Sequence, residues 1–109
     1  MKDNLNNRVH AIKHVYTIED IKKIAVPIAR RYGVEKIAVF GSYARGEAKE
    51  NSDVDFIISK GAIRGMFGFC GFANDLEEAL RLDVDLLTYE SLEEDFAYIL
   101  NEEIVLYES

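Results

Sequence analysis

The sequence predicts an α/β fold, a small mixed β-sheet flanked by helices, and three observations support this prediction. Short apolar runs with the length of buried strands occur at 36–40, 53–58 and 83–88. Segments with helical apolar spacing lie between or before them, most clearly from residue 17 onward. Polar, turn-forming stretches such as 48–52 separate the two kinds of segment. Strands and helices in this order favour a sheet with helices packed against it.

The first helix is the most clearly delimited element. Thr17 and Asp20 form a capping-box-like Thr-x-x-Asp pattern, which is typical of a helix start. Pro27 lies inside the helix and is expected to kink it, because proline removes one backbone donor. Gly33 is the expected C-terminal stop. The apolar positions that recur at helical spacing are Ile18, Ile21, Ile24, Ile28 and Tyr32.

The N-terminal segment differs from the rest of the chain. Residues 1–16 are polar and are predicted to form an arm or a short helix, and residues 17–109 a single domain. His10 and His14 would share one helix face, but no further metal ligand is apparent nearby. A solvated helix face is therefore the favoured interpretation of this pair.

The remaining elements follow from the same patterns. "GSYARG" starts at the end of the first strand and is predicted to form a short helical turn, while 83–88 forms a third strand. The second half of "KGAIRGMFGFCGFANDLEEALRL" is predicted to be helical, and its apolar face would carry Phe69, Phe72, Leu76, Ala79 and Leu80. A last helix is expected at about 91–100, and "EIVLY" would form a short final strand.

The glycines within that long segment admit two interpretations. Gly61, Gly65, Gly68 and Gly71 lower helix propensity, which favours a frayed segment and a helix that starts late. They could instead mark close approach by a neighbouring helix or a partner. Phe67, Phe69 and Phe72 are expected in the core.

Composition limits the function classes. The 109 residues include 49% hydrophobic and 30% charged residues, which is typical of a soluble globular protein with a modest core. The formal net charge of −7 and the lack of a basic patch argue against direct binding of nucleic acid. No apolar run is long enough to span a membrane. Cys70 is the single cysteine, which suits the reducing cytoplasm.

Two aspartates in one apolar strand are the most informative feature of the stretch "VFGSYARGEAKENSDVDFII". Alternate strand residues share a face about 7 Å apart, so Asp53 and Asp55 point the same way. "DVDLLT" repeats the pattern with Asp83 and Asp85. If the two strands are neighbours, three carboxylates converge and repel one another. Mg²⁺ would remove that repulsion, and two such ions about 4 Å apart would suit phosphoryl or nucleotidyl displacement.

Gly41 and Ser42 supply the complementary feature, a candidate phosphate site. Glycine allows the backbone to approach a phosphate closely. A helical turn that starts at Ser42 would direct free N–H groups and a hydroxyl at an anion. One segment thus combines a phosphate site with a metal-binding pair that follows after ten residues.

Gly41-Ser42, the ten intervening residues and Asp53-x-Asp55 together resemble the signature of the nucleotidyltransferases related to DNA polymerase β. The longer string, with "VDLLT" downstream, resembles the minimal nucleotidyltransferases, often MNT-type antitoxins paired with HEPN-domain toxins. The resemblance covers residues 18–107. It implies a polymerase β palm-like fold, Mg²⁺, and ATP as the donor of AMP with release of pyrophosphate. In toxin–antitoxin relatives the acceptor is a tyrosine of the HEPN toxin.

The resemblance also implies roles for individual residues. Asp53 and Asp55 correspond to the two metal ligands, and Asp85 to the third carboxylate, which holds one metal and helps to deprotonate the attacking hydroxyl. Gly41 and Ser42 correspond to the triphosphate-binding pair. The glycine-rich segment "KGAIRGMFGFCG" departs from the helix that the family places there, which leaves the shape of the acceptor side open.

Several alternatives remain at the level of sequence. Asp83 shares a face with Asp85 and could replace it. Arg45 could contact a phosphate or the metal-site carboxylates, or it could pin the loop through a salt bridge. Ser52 is expected to order the turn before Asp53. The acidic residues near the C-terminus are expected to form a solvated face or, less simply, a docking site for a basic partner: Glu93, Glu94, Asp95, Glu102 and Glu103.

Two other functions remain as alternatives to AMP transfer onto a toxin. The first is a non-catalytic antitoxin with a vestigial site, which would neutralise its partner by occlusion. The second is a small-molecule nucleotidyltransferase of the antibiotic-modifying type, although the chain is short for enclosing such a substrate. The small size favours an open site whose acceptor surface comes from another protein.

Overall fold

The computed structural model describes residues 15–94 and 97–109, and its elements alternate between helix and strand. Residues 1–14 of the predicted arm, which include His10 and His14, lie outside the described residues. Asp95, one of the acidic residues near the C-terminus, also lies outside them. The elements are α1 (Ile18–Tyr32), β1 (Lys36–Phe40), α2 (Gly41–Arg45), β2 (Val54–Ser59), α3 (Gly65–Leu80), β3 (Val84–Thr88), a 3₁₀ helix (Tyr89–Ser91), α4 (Ile99–Glu102) and β4 (Ile104–Glu108).

The four strands form one mixed sheet in the order β3-β2-β1-β4. Strand β1 pairs antiparallel with β2 and β4, and β2 pairs parallel with β3. The parallel pair needs a crossover connection, which α3 provides. The predicted α/β class, the small mixed sheet and its flanking helices are therefore confirmed.

Helix α1 begins and ends where its sequence predicts. The Thr17 hydroxyl accepts a hydrogen bond from the Asp20 N–H at 3.0 Å, and the Asp20 carboxylate accepts one from the Thr17 N–H at 3.2 Å. Gly33 ends the helix in the left-handed conformation, at φ +73°. The buried face packs into the main core and carries Ile21, Ala25, Ile28 and Ala29.

Helix α3 begins at Gly65, so the prediction that only the later half of this segment is helical is wrong. Close packing explains Gly71, because a Cβ there would lie 3.3 Å from the Tyr32 hydroxyl of α1, whereas nothing lies within 4 Å of a Cβ on Gly65. That hydroxyl donates a hydrogen bond to Asp75 at 2.7 Å, which ties α1 to α3. Phe72, Leu76 and Leu80 are fully buried, as predicted.

Two further expectations about this helix are wrong. Phe67, predicted in the core, is 97% exposed near the start of α3, and Ala79 is also exposed. Residue 67 projects from the helix on the side away from Phe72, since the two positions are five residues apart.

The predicted last helix at 91–100 is largely wrong. A 3₁₀ turn ends at Ser91, where the Thr88 hydroxyl accepts a hydrogen bond from the Ser91 N–H at 3.2 Å. The only α-helical turn in the described part of this region is the four-residue α4. The final strand is confirmed as β4.

The two faces of the sheet are covered unequally, and this decides where a site can form. Helices α1 and α3 cover one face over the main core, which includes Val39, Phe56 and Ile58. The other face carries a small cluster in which Ala38, Ile57 and Ile99 are buried. Among the described residues, no helix has the length and apolar character needed to cross a bilayer.

Candidate active site

The parallel pairing of β2 and β3 brings the predicted carboxylates together. Asp55 is the direct register partner of Asp85, as Ile57 is of Leu87 two residues further along. Since alternate strand residues share a face, Asp55 and Asp85 lie on the thinly covered face of the sheet. Val54 and Phe56 face the main core instead and are fully buried. The predicted neighbourhood of the two aspartate-bearing strands is confirmed.

Asp55 has the most perturbed acid–base equilibrium of the site. Its carboxyl is half-buried, and burial, a hydrogen bond with Asp85 and the charges of Asp85 and Asp53 together raise its pKa to about 7. The positive charge of Arg45 opposes this shift. Burial and the charges of Asp85 and Asp83 also raise the pKa of Asp53. These carboxylates are therefore arranged where a proton or a cation relieves their mutual repulsion.

Two features of the structure require glycine at position 41, beside the Asp55 carboxylate. Its φ of +73° lies in the left-handed region, where side chains other than glycine are strained. A Cβ at this position would also overlap the Asp55 carboxylate oxygen Oδ2. Glycine is therefore required so that the turn after β1 can pass against Asp55. Ser42 follows in the first turn of α2.

Arg45 is held in a bridge between two elements. Its Nε donates to Glu47 at 2.9 Å, and its Nη1 donates to Glu102 Oε1 at 3.2 Å. The same Glu102 oxygen accepts a hydrogen bond from the Gly41 N–H at 3.2 Å. Of the two interpretations of Arg45, the geometry shows the salt bridges that pin the loop, and a phosphate contact stays a prediction.

An open cleft of about 430 Å³ contains every predicted site residue. Asp83 is not among the described residues that line it, which favours Asp85 over Asp83 as the third carboxylate. Within residues 15–94 and 97–109, no three carboxylate, histidine or cysteine side chains are already placed to ligate a metal. The lining comprises Phe40, Gly41, Ser42, Arg45, Ser52, Asp53, Asp55, Asp85, Tyr98 and Glu102.

Four lining residues were not predicted as part of the site. Ser52 orders the turn, as expected, since its hydroxyl accepts from the Lys49 N–H at 2.8 Å. Glu102 was expected on a solvated face, yet its side chain is half-buried and accepts a hydrogen bond from the Gly41 N–H. Phe40 and Tyr98 add aromatic surface. Glu102 and Tyr98 come from a distant part of the chain, so local sequence patterns carry no signal for them.

The raised pKa of Asp55 predicts a pH-dependent stability in the metal-free protein. The folded state holds this proton more tightly than the unfolded state, where the pKa of an aspartate is about 3.9. The contribution of Asp55 to the free energy of unfolding is therefore greatest at low pH and is lost as pH rises through about 7. Melting scans between pH 5 and 8 should show this loss in wild type but not in Asp55→Asn. Equal pH profiles would contradict the assignment.

The sheet order, the crossover helix and a carboxylate pair beside a Gly-Ser turn define a nucleotidyltransferase domain. Residues 19–109 match the family model described as "Polymerase beta, Nucleotidyltransferase". This match spans most of the chain, and the chain belongs to this nucleotidyltransferase family.

Three known proteins illustrate the similarity. The protein adenylyltransferase MntA of Thermococcus cleftensis is 40% identical over 93 residues, which cover 82% of this chain and 94% of the relative. A toxin–antitoxin crystal structure with AMP-PNP has a TM-score of 0.71 at 23% identity and covers 81% of this chain and 73% of the matched chain. A structure of a tri-AMPylated Shewanella oneidensis HEPN toxin with its MNT antitoxin has a TM-score of 0.64 at 20% identity over 82% and 71% of the respective chains. The two structures establish the shared fold.

Proposed function

We propose that this chain is an Mg²⁺-dependent protein adenylyltransferase that acts as an antitoxin in the cytoplasm. It transfers AMP from ATP to a hydroxyl, in particular a tyrosine hydroxyl, of a partner HEPN toxin. The observation that carries the proposal is the cleft in which Asp53, Asp55 and Asp85 lie beside the Gly41-Ser42 turn. The relative from Thermococcus cleftensis, which this chain matches over nearly its whole length, is itself named a protein adenylyltransferase.

The donor set fits Mg²⁺ in chemical type. Mg²⁺ prefers oxygen ligands and is commonly held by one or two carboxylates together with substrate phosphates. Asp53, Asp55 and Asp85 offer such oxygens, and the pKa of Asp55 is raised because burial and the hydrogen bond with Asp85 favour its protonated form. When bound, Mg²⁺ would supply charge neutralisation for the triphosphate and for the departing pyrophosphate.

The transfer requires little covalent participation by the protein. The acceptor oxygen forms a bond to the α-phosphorus of ATP, and the bond from that phosphorus to the oxygen bridging to the β-phosphorus breaks. Asp85 takes the hydroxyl proton, and pyrophosphate leaves with the electron pair. Ser42 donates its hydroxyl to a phosphate oxygen, and Gly41 allows the phosphates to approach the backbone. Positioning and charge stabilisation thus provide most of the catalysis.

The openness of the cleft supports a protein acceptor. The described elements include no second layer over the face that carries Asp55 and Asp85, apart from α4 and the 3₁₀ turn. A small acceptor would be poorly enclosed there, because binding sites for small molecules normally bury most of the ligand. A protein can bring its own surface and its own hydroxyl.

A toxicity assay separates catalysis from occlusion. Cells that express the proposed HEPN-type partner would also express wild type, Asp53→Asn or Asp83→Asn. We expect rescue of growth by wild type and by the Asp83→Asn control, but not by Asp53→Asn, although pull-down still recovers its complex. Rescue by Asp53→Asn would instead establish neutralisation by occlusion.

Binding of metal and nucleotide should also stabilise the protein. A ligand that binds the folded state alone raises the apparent free energy of unfolding in proportion to the logarithm of its concentration. We expect Mg²⁺ with ATP to raise the melting temperature of wild type at pH 8, and to raise it less at pH 5.5, where Asp55 is protonated. An unchanged melting temperature at pH 8 would contradict the metal site.

A further inference from the structure

A second cavity lies on the same thinly covered face of the sheet as the candidate active site. It has a volume of about 260 Å³ and is lined by Leu87, Thr88, Ser91, Leu92 and Glu93. Leu87 follows Asp85 by two residues on β3, so the two side chains share a face about 7 Å apart. The second cavity and the catalytic cleft are therefore both reached from this face of strand β3.

The chemistry of this cavity favours an apolar occupant. Leu87 is 37% exposed, although it is a large apolar side chain at the surface of the sheet. Leu92 packs against the small cluster beneath. The hydroxyls of Thr88 and Ser91 are 2.7 Å apart and hydrogen bond to each other, so these polar groups are already satisfied. What remains for a ligand is an apolar floor of roughly side-chain size.

The rim of the cavity carries one carboxylate, that of Glu93. Glu93 is exposed at its edge, and Glu90 is exposed in the 3₁₀ turn that precedes it. The chain as a whole carries a formal net charge of −7. A basic residue on the partner would complement this rim, because opposite charges across an interface favour encounter and fix the register.

We propose that this cavity is the docking site for the acceptor protein, which inserts an apolar side chain against Leu87 and Leu92 and places a neighbouring Lys or Arg at Glu93. The inference rests on the proposed function, since it assigns the surface that presents the acceptor hydroxyl to Asp85. Strand β3 is an edge strand, so the acceptor segment can approach it from the open side. An anchor two residues from Asp85 places the modified hydroxyl within reach of the carboxylates.

The test compares two matched substitutions on opposite edges of the sheet. Leu87→Asp changes the proposed anchor, and Val105→Asp changes a 43% exposed residue of β4 that pairs with Ala38 on the same face. The purified HEPN-type protein is the probe, and calorimetry measures its binding separately from AMP transfer. We expect Leu87→Asp to weaken binding about 30-fold and to raise KM for the acceptor, with KM for ATP unchanged. Val105→Asp should change neither.

The charge component has its own test. Glu93→Gln should reduce the salt dependence of acceptor binding, since it removes the attraction for the partner's basic residue. Equal binding by wild type and Leu87→Asp would overturn the docking site even if AMP transfer proceeds. Conversely, if the proteins bind but no AMP is transferred, the proposed function fails, and the binding ratio of the two variants still decides the docking site.

Discussion

Asp55→Asn is expected to reduce AMP transfer roughly a thousand-fold, while the folded protein becomes no less stable than wild type. The amide cannot supply the anionic oxygen that Asp55 offers at the centre of the cleft. Stability should be preserved or increased at pH 8, because burial and the neighbouring carboxylates raise the pKa of Asp55 and so disfavour its charged form. Single-turnover transfer assays with radiolabelled ATP measure the activity, and melting scans measure the stability.

Asp83→Asn is the matched control for this prediction. It makes the same chemical change in the same part of the sheet, but Asp83 does not line the cleft in the described part of the chain. We expect its transfer rate to stay within a few-fold of wild type, apart from a small electrostatic effect through Asp53. An inactive Asp83→Asn together with an active Asp55→Asn would reverse the assignment of the carboxylates.

Gly41→Ala is expected to impair both activity and stability. The alanine would adopt a left-handed backbone conformation, which costs about 1 to 2 kcal/mol. Its Cβ would in addition displace the Asp55 carboxylate from the position it holds beside the turn. Misplacing a catalytic carboxylate by an ångström reduces the rate on the order of a hundred-fold. Transfer kinetics and the free energy of unfolding in urea measure the two effects.

Gly46→Ala separates backbone strain from the overlap with Asp55. Gly46 has a φ of +75°, and nothing lies within 4 Å of the position that its Cβ would take. We expect this variant to lose a similar amount of stability to the strain alone and to keep its activity. Combining Gly41→Ala with Asp55→Ala should recover part of the lost stability, because the overlapping carboxylate is gone. Strictly additive losses would refute the proposed overlap.

The local sequence patterns predicted the elements that position the site. The capping box at Thr17, the apolar runs of the strands and the alternation around Asp55 and Asp85 all correspond to what is observed. These features depend on residues close in sequence or on the period of a strand, which a single sequence displays directly. The convergence of Asp85 with Asp53 and Asp55 is not local in this sense, because it depends on the pairing of two strands. It was predicted on the condition that the strands are neighbours and through the resemblance to nucleotidyltransferases, and the observed pairing of Asp55 with Asp85 meets that condition.

The remaining features depend on contacts between distant segments. Glu102 joins Gly41 and Arg45 across more than fifty residues of sequence, and no local pattern marks that contact. The start of α3 was misplaced because helix propensity disfavours glycine, whereas packing of Gly71 against Tyr32 favours it there. Phe67 was predicted in the core because it is aromatic, but it is exposed. An aromatic residue near the start of a helix need not be buried.

Intact-mass spectrometry of the proposed partner, a HEPN-type toxin, tests the central claim most directly. The protein would be incubated with Mg²⁺ and ATP, together with wild type, Asp53→Asn or Asp83→Asn. The proposed mechanism predicts a mass gain of one or more AMP units with wild type and Asp83→Asn, and none with Asp53→Asn. No gain with any of the three, in complexes that still form, would contradict transfer to this partner and favour neutralisation by occlusion.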